Sequence, residues 1–175
     1  MLWLYGCSED SGPAAPEGPA AARTVEQFLE QYGDAFVQGN LDRLRALHSS
    51  GFTYVPDPLC VGLSCAQSFP WNHDEQMQCF ERMFEASQLP FEVEERRFRS
   101  TISAEQASVG QIEATVWLSY FWLSSNNGVL AESGFTLVLQ DGGTSGLSLL
   151  EVRERHDGGR SADACFSELV CVFFP

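Results

Sequence analysis

The sequence predicts an α+β domain in which helices come first and an antiparallel sheet follows. Amphipathic patterns with helical spacing occupy the stretch from Thr24 to about residue 85, the pattern becomes alternating after Pro90, and Asn- and Gly-rich turns separate the alternating segments. A chain of 175 residues with 44% hydrophobic content can bury a substantial core. We therefore expect one ordered domain over residues 24–156.

The first helix begins at a capping box, "TVEQ", in which Thr24 precedes Gln27 by three residues. The apolar positions behind it repeat with helical spacing: Val25, Phe28, Leu29, Tyr32 and Phe36. Gly39 ends the helix, because glycine is favoured where a helix terminates in the left-handed conformation.

Two further helices and a strand follow. Asn40 caps a short second helix, and Asn72 with Glu75 caps a third. The strand "FTYVPD", residues 52–57, lies between them, and Pro56 ends its pairing.

The alternating segments predict an antiparallel meander. In "QIEATVWLSYFWLSS", residues 111–125, one face carries Leu118, Tyr120 and Trp122. Segments 133–140 and 147–155 continue the sheet.

The opposite face of the longest strand carries Trp117 and Phe121. Aromatic side chains on the outer face of a sheet suit a contact with another protein surface.

The order of elements, with "QYGDAFVQGNLDRLRALHSSGFTYVPD" near the start and "SGFTLVLQDGG" near the end, resembles the nuclear-transport-factor-2-like superfamily over residues 24–156. That superfamily includes SnoaL-like and ketosteroid isomerase branches. Its members often dimerise through the outer face of the sheet, so the resemblance implies a homodimer through the face of the longest strand that carries aromatic side chains. The resemblance implies a strongly curved sheet that forms a cone, with about three helices packed on it and a pocket inside. The side chains expected to line the pocket are Tyr32, Phe36, Tyr54, Leu118, Tyr120, Trp122, Phe135 and Leu137.

The resemblance also allows the isomerase chemistry to be compared position by position. Tyr32 falls where the family places its oxyanion tyrosine, but the base position falls on Pro56, with Asp57 one residue late. The position of the protonated acid falls on Phe135. Steroid-type isomerisation is therefore disfavoured, since only one of three roles is matched.

Two functions from different classes remain. We prefer a non-catalytic module that binds a small apolar molecule or a protein partner. The alternative is a small isomerase or dehydratase of the SnoaL-like kind, in which Tyr32, His48 and Asp57 act inside the cone without metal or cofactor.

Charge and motif content disfavour other classes. The formal charge is −14 and every one of the 10 basic residues is Arg, so no positive field favours nucleic acid. No paired metal-binding motif is present, because Cys60 and Cys65 lack a partner pair at zinc-site spacing. We therefore expect no metal and no cofactor.

The start of the chain suggests an address in the bacterial cell envelope. Leu4, Gly6 and Cys7 match a lipobox, although the segment before Cys7 is shorter than a signal peptide and is expected to be its remnant. The following stretch through residue 22 is rich in Pro, Ala and Gly, as in an extended tether. Residues 1–23 are thus expected to carry a lipid anchor at Cys7, as the chain's one attachment to a membrane.

An oxidising compartment would favour disulfides. The local candidates are Cys60 with Cys65 and Cys165 with Cys171, which leaves Cys79 as a thiol. The tail, residues 157–175, ends in apolar residues and is expected to fold back on the sheet or to join a dimer contact.

Overall fold

The computed structural model describes residues 20–57, 70–85, 92–126 and 128–155. The helices of these segments are α1 (Val25–Gln38), α2 (Leu41–Leu47) and α3 (His73–Glu85). The strands are β1 (His48–Val55), β2 (Trp71–Asn72), β3 (Glu95–Ser108), β4 (Gln111–Leu123), β5 (Gly128–Asp141) and β6 (Leu147–Arg155). The predicted α+β class, with helices before the main strands, is confirmed. The predicted lipidation site Cys7, the tether that follows it up to residue 19, the tail over residues 157–175, and Cys60, Cys65, Cys165 and Cys171 lie outside the described residues.

The helix ends form as the sequence predicts. The Thr24 hydroxyl accepts a hydrogen bond from the backbone N–H of Gln27 at 3.2 Å, and Gly39 has a φ of 65°. The Gln27 side chain does reach back, but its Oε1 accepts from the backbone of Arg23 rather than from Thr24. Asn40 caps α2 through the N–H of Arg43.

The cap of α3 is fully reciprocal. Asn72 Oδ1 accepts from the N–H of Glu75 at 3.1 Å, while Glu75 Oε2 accepts from the N–H of Asn72 at 2.8 Å. Two otherwise unsatisfied donors are thereby paired, which fixes where the helix begins.

The strands form a six-stranded sheet in the order β2-β1-β6-β5-β4-β3. Adjacent strands are antiparallel except for β1 and β6, which run parallel. The sheet is therefore mixed, whereas the sequence predicted a wholly antiparallel sheet. The difference arises because β6 enters between β1 and β5, and the antiparallel pairing with β5 sets its direction. Strand direction at such a long-range contact has no local signature in the sequence.

Irregularities in β3 and β6 bend the sheet. The register of β3 on β4 shifts between Ile102 and Ala104, and that of β6 on β5 shifts between Val138 and Leu139. An extra residue in one strand increases the local twist and turns the strand. The helices pack on the concave side of this sheet, where the core lies.

Helix α1 approaches the sheet closely at Gly33. A Cβ atom at this position would lie 2.4 Å from Cδ1 of Phe98 on β3. The absence of a side chain therefore lets the Phe98 ring pack directly against the helix.

Candidate functional site

A narrow hollow lies between α1, β1, α3 and the concave face of the sheet. Six of the eight predicted lining residues border it: Tyr32, Tyr54, Leu118, Tyr120, Phe135 and Leu137. His48 and Gln76 also border it. The centre of a water molecule can occupy about 20 Å³ of this space. Because one water needs roughly 10–15 Å³ on that measure, the hollow is water-sized.

Phe36 and Trp122, the other two predicted lining residues, lie beside the hollow. Both are fully buried, and their ring centroids are 5.3 Å apart in an edge-to-face arrangement. Both side chains point inward, as alternation and helical spacing predict. They contact one another instead of facing open space, so they fill the core beside the hollow.

Three tyrosines give the hollow a polar wall. Tyr32 and Tyr120 share a hydrogen bond between their hydroxyls, and the Tyr54 hydroxyl donates to Glu154 Oε2 at 3.0 Å. Burial raises the pKa of each tyrosine, so all three hydroxyls stay protonated near neutral pH.

Glu154 is a buried carboxyl behind this wall. It is 4% exposed, and its Oε1 accepts from the Ser133 hydroxyl at 2.6 Å. It does not border the hollow, because Tyr54 stands between the two. Alternation places Glu154, between Arg153 and Arg155, in phase with the inward-facing Val152, but a charged side chain in a strand is ordinarily exposed to solvent.

His48 is the basic side chain among the described residues that border the hollow. It lies at the junction of α2 and β1, where its Nδ1 donates to the carbonyl oxygen of Leu44 at 2.7 Å. Burial, and to a smaller extent His73, lowers the pKa of His48 to about 4 although the Leu44 bond opposes this. The imidazole is therefore neutral at physiological pH, with Nε2 as its acceptor nitrogen.

The structure brings together two of the three residues proposed for catalysis. Tyr32 and His48 share the hollow, and their ring centroids are 5.9 Å apart. Asp57 follows the end of β1 and does not border the hollow. His48 borders both the hollow and a crevice at the surface. The other residues that line the crevice are Ser50, Asn72, His73 and Asp74.

Gln76 was missed by sequence analysis. It lies on the buried face of α3 and is 3% exposed. Gln76 follows His73 by three residues and precedes Phe80 by four, so the three side chains lie on one face of α3. The sequence around a buried glutamine does not differ from that around an exposed one.

Other buried or clustered groups serve packing. The Cys79 thiol is buried and donates to the sulfur of Met83 at 3.4 Å, and burial raises the pKa of the thiol.

Within the described ranges, no group of three or more His, Cys, Asp or Glu side chains is arranged to hold a metal ion. In the same ranges, none of the helices has the length and apolar content of a membrane span.

The outer face of the sheet carries aromatic side chains among polar and charged ones. Trp117 is paired with Gly134 and Phe121 with Leu130 across β4 and β5, and Leu130 is 36% exposed. The Arg99 guanidinium lies over the Phe121 ring, 5.4 Å from its centroid. This face therefore presents aromatic side chains bordered by arginine.

Several solved structures share this architecture. A nuclear-transport-factor-2-like protein of unknown function from Shewanella oneidensis aligns over 74% of this chain and 94% of its own, at 12% identity and a TM-score of 0.51. The chain has the nuclear-transport-factor-2-like fold. Its six-stranded sheet is open at both edges, β2 and β3, and the helices cover the concave side.

Two other structures are similar to this nuclear-transport-factor-2-like chain. A protein of unknown function from Mycobacterium tuberculosis aligns over 85% of this chain and 81% of its own, at 8% identity and a TM-score of 0.59. A structure from Thiobacillus denitrificans, named for the association domain of calcium/calmodulin-dependent protein kinase type II, aligns over 78% and 98%, at 12% identity and a TM-score of 0.53. No protein-family model and no curated protein sequence matches the chain. The similarity therefore establishes the fold and leaves activity to the site itself.

Proposed function

We propose that the chain is a non-catalytic interaction module that assembles through the outer face of its sheet. The observation that carries this proposal is the size of the hollow, in which water centres occupy about 20 Å³. Pockets for small organic ligands are typically about 300–1,000 Å³. Of the two non-catalytic roles, a protein contact is therefore favoured over an apolar ligand inside the cone.

The outer face has the composition for such a contact. It carries the half-buried Trp117 and Phe121, with Arg99 and Leu130 on the neighbouring strands. Trp and Arg are the residue types enriched among those that dominate binding energy, and Trp117 and Arg99 supply them here.

A second copy of the chain is the partner that this face fits best. A two-fold axis would place Trp117 and Phe121 of one face against the same side chains on the other. The Thiobacillus structure is named for an association domain, and that name is consistent with assembly as one use of the fold.

Light scattering coupled to size exclusion tests the dimer. We expect the full chain to have twice the mass of 19.4 kDa, and Trp117→Glu to return it to one chain with unchanged circular dichroism, because a carboxylate would be desolvated at the centre of the contact. Val109→Glu is the matched control, since Val109 is fully exposed at the β3–β4 turn.

Leu130→Glu serves as a second variant if Trp117→Glu fails to fold, because Leu130 is more exposed on the same face. A wild-type chain that remains monomeric at its highest soluble concentration contradicts the proposal. Equal dissociation by Val109→Glu would also contradict it.

The second candidate function is the small enzyme. It is favoured by one observation, that Tyr32 and a neutral His48 border the same hollow. Native mass spectrometry of the purified chain separates the candidates: a bound organic molecule favours the enzyme or a ligand-binding role, and a mass equal to that of the polypeptide alone favours the interaction module.

We propose the location in the cell envelope from Cys7, the predicted lipidation site. We expect labelled palmitate to be incorporated when a complete signal peptide is fused ahead of Leu2, because the residue after a lipobox cleavage site receives the lipid. Cys7→Ser should abolish the label, while Cys79→Ser, at a buried thiol, should not. Equal labelling of the wild type and Cys7→Ser would refute the anchor.

A further inference from the structure

Gln76 is a buried side chain with an unsatisfied acceptor. It is 3% exposed, and its Oε1 has no hydrogen-bond partner among the described residues. Leaving such an atom unpaired is costly, so most buried polar atoms in folded proteins are paired with protein or with ordered water. A hydrogen-bond donor is therefore expected beside Gln76 Oε1.

Helix geometry places Gln76 beside His48. The ring centroids of His73 and Phe80 lie 6.3 and 6.4 Å from that of His48. Gln76 is three residues from His73 and four from Phe80, so it lies between them on the face of α3 that packs against His48. Both Gln76 and His48 border the hollow.

The polar groups of the hollow fit one hydroxyl group. Gln76 Oε1 accepts, and His48 Nε2 accepts because Nδ1 donates to Leu44. Tyr32 and Tyr120 share one hydrogen bond, and the tyrosine that accepts in it can donate its own O–H elsewhere. A neutral hydroxyl can donate to the two acceptors and accept from a tyrosine, whereas an anion would meet two acceptors.

We infer that Gln76 and His48 bind one neutral hydroxyl group, and that a single buried water supplies it. The space of about 20 Å³ selects water from the class of hydroxyl compounds, because one water fits and an added carbon chain does not. This binding site is separate from the outer face, so it stands whether or not the chain dimerises.

Water NOE and ROE spectroscopy on the full chain tests this inference. A buried water that exchanges slowly gives NOE and ROE cross-peaks of opposite sign, and we expect such peaks at the His48 ring and the Gln76 amide. Gln76→Leu removes the acceptor and should eliminate the cross-peaks at His48. Gln78→Leu, at an exposed position on the same helix, should retain them.

The inference is overturned if the wild type shows no such cross-peaks, or if they persist with full intensity in Gln76→Leu. A co-purified organic molecule with cross-peaks to His48 would overturn water as the occupant. If Gln76→Leu fails to fold, Gln76→Met removes the same acceptor with a side chain of closer length, and the wild-type spectrum stands on its own.

Discussion

Phe36→Ala is expected to lower the free energy of unfolding by about 3–5 kcal/mol, the range for truncating a buried phenylalanine. Phe36 is fully buried, and its ring contacts Tyr120 and Trp122 edge to face, with centroids 5.0 and 5.3 Å away. The Phe84 and Phe98 rings also pack on it, at 5.7 and 6.3 Å. Truncation therefore removes contacts with α3 and two strands at once.

Urea unfolding followed by fluorescence measures this loss, and Val37→Ala is the matched control. Val37 is the next residue on the same helix and is 41% exposed, so its truncation should change stability by about 0.5 kcal/mol or less. Thermal unfolding should show a midpoint decrease of roughly 10 °C for Phe36→Ala, at about 2–4 °C per kcal/mol for a chain of this size. A loss equal to that of Val37→Ala would mean that Phe36 does not pack in the core as these ring contacts indicate.

Acid is expected to destabilise the fold through His48. Its pKa is about 4 when folded, against about 6.5 in an unfolded chain, so the unfolded state binds the proton more readily. The contribution of neutral His48 is fully present above pH 6.5, decreases as the pH falls, and is lost below pH 4. The full difference is about 3 kcal/mol, of which about 2 kcal/mol is lost between pH 7.5 and pH 5.

His48→Asn isolates this contribution. The asparagine does not titrate, and its amide N–H₂ can replace Nδ1 as the donor to Leu44. We expect the difference in unfolding free energy between wild type and variant to be constant above pH 6.5 and to shift in favour of the variant below it. Urea titrations at half-unit pH steps measure the difference, which cancels the carboxylates common to both proteins.

Two parallel curves between pH 7.5 and 4.5 would show that His48 keeps its ordinary pKa and is not buried as described. His73→Asn gives a further comparison, because His73 lies in the surface crevice and lowers the pKa of His48 only as a secondary cause. Its effect on the pH dependence should be smaller than that of His48→Asn.

Short-range signals in the sequence predicted the elements well. The caps at Thr24, Asn40 and Asn72 depend on side chains within three residues of the helix start, so composition and spacing suffice to find them. The alternation over residues 111–125 likewise predicted which side chains of β4 face the core. The fold class followed from these elements and from the resemblance to the superfamily.

The site was predicted less completely because its polar residues depend on long-range packing. Glu154 is buried by Tyr54 and Ser133, which are 100 and 21 residues away in the chain. Gln76 faces the hollow because α3 packs over β1, a contact with no local signature. Pattern analysis assigns both side chains to solvent, since charged and amide side chains are mostly exposed.

The position of β6 between β1 and β5 means that the interior of the sheet is synthesised last. Until residues 147–155 leave the ribosome, β1 and β5 each have one unpaired edge. On one side β1 pairs with β2, but β6, its partner on the other side, follows it by about a hundred residues. Such late closure slows folding and leaves strand edges open to other chains during translation. A nascent chain stalled before Leu147 should therefore depend on chaperones to a degree that the finished domain does not.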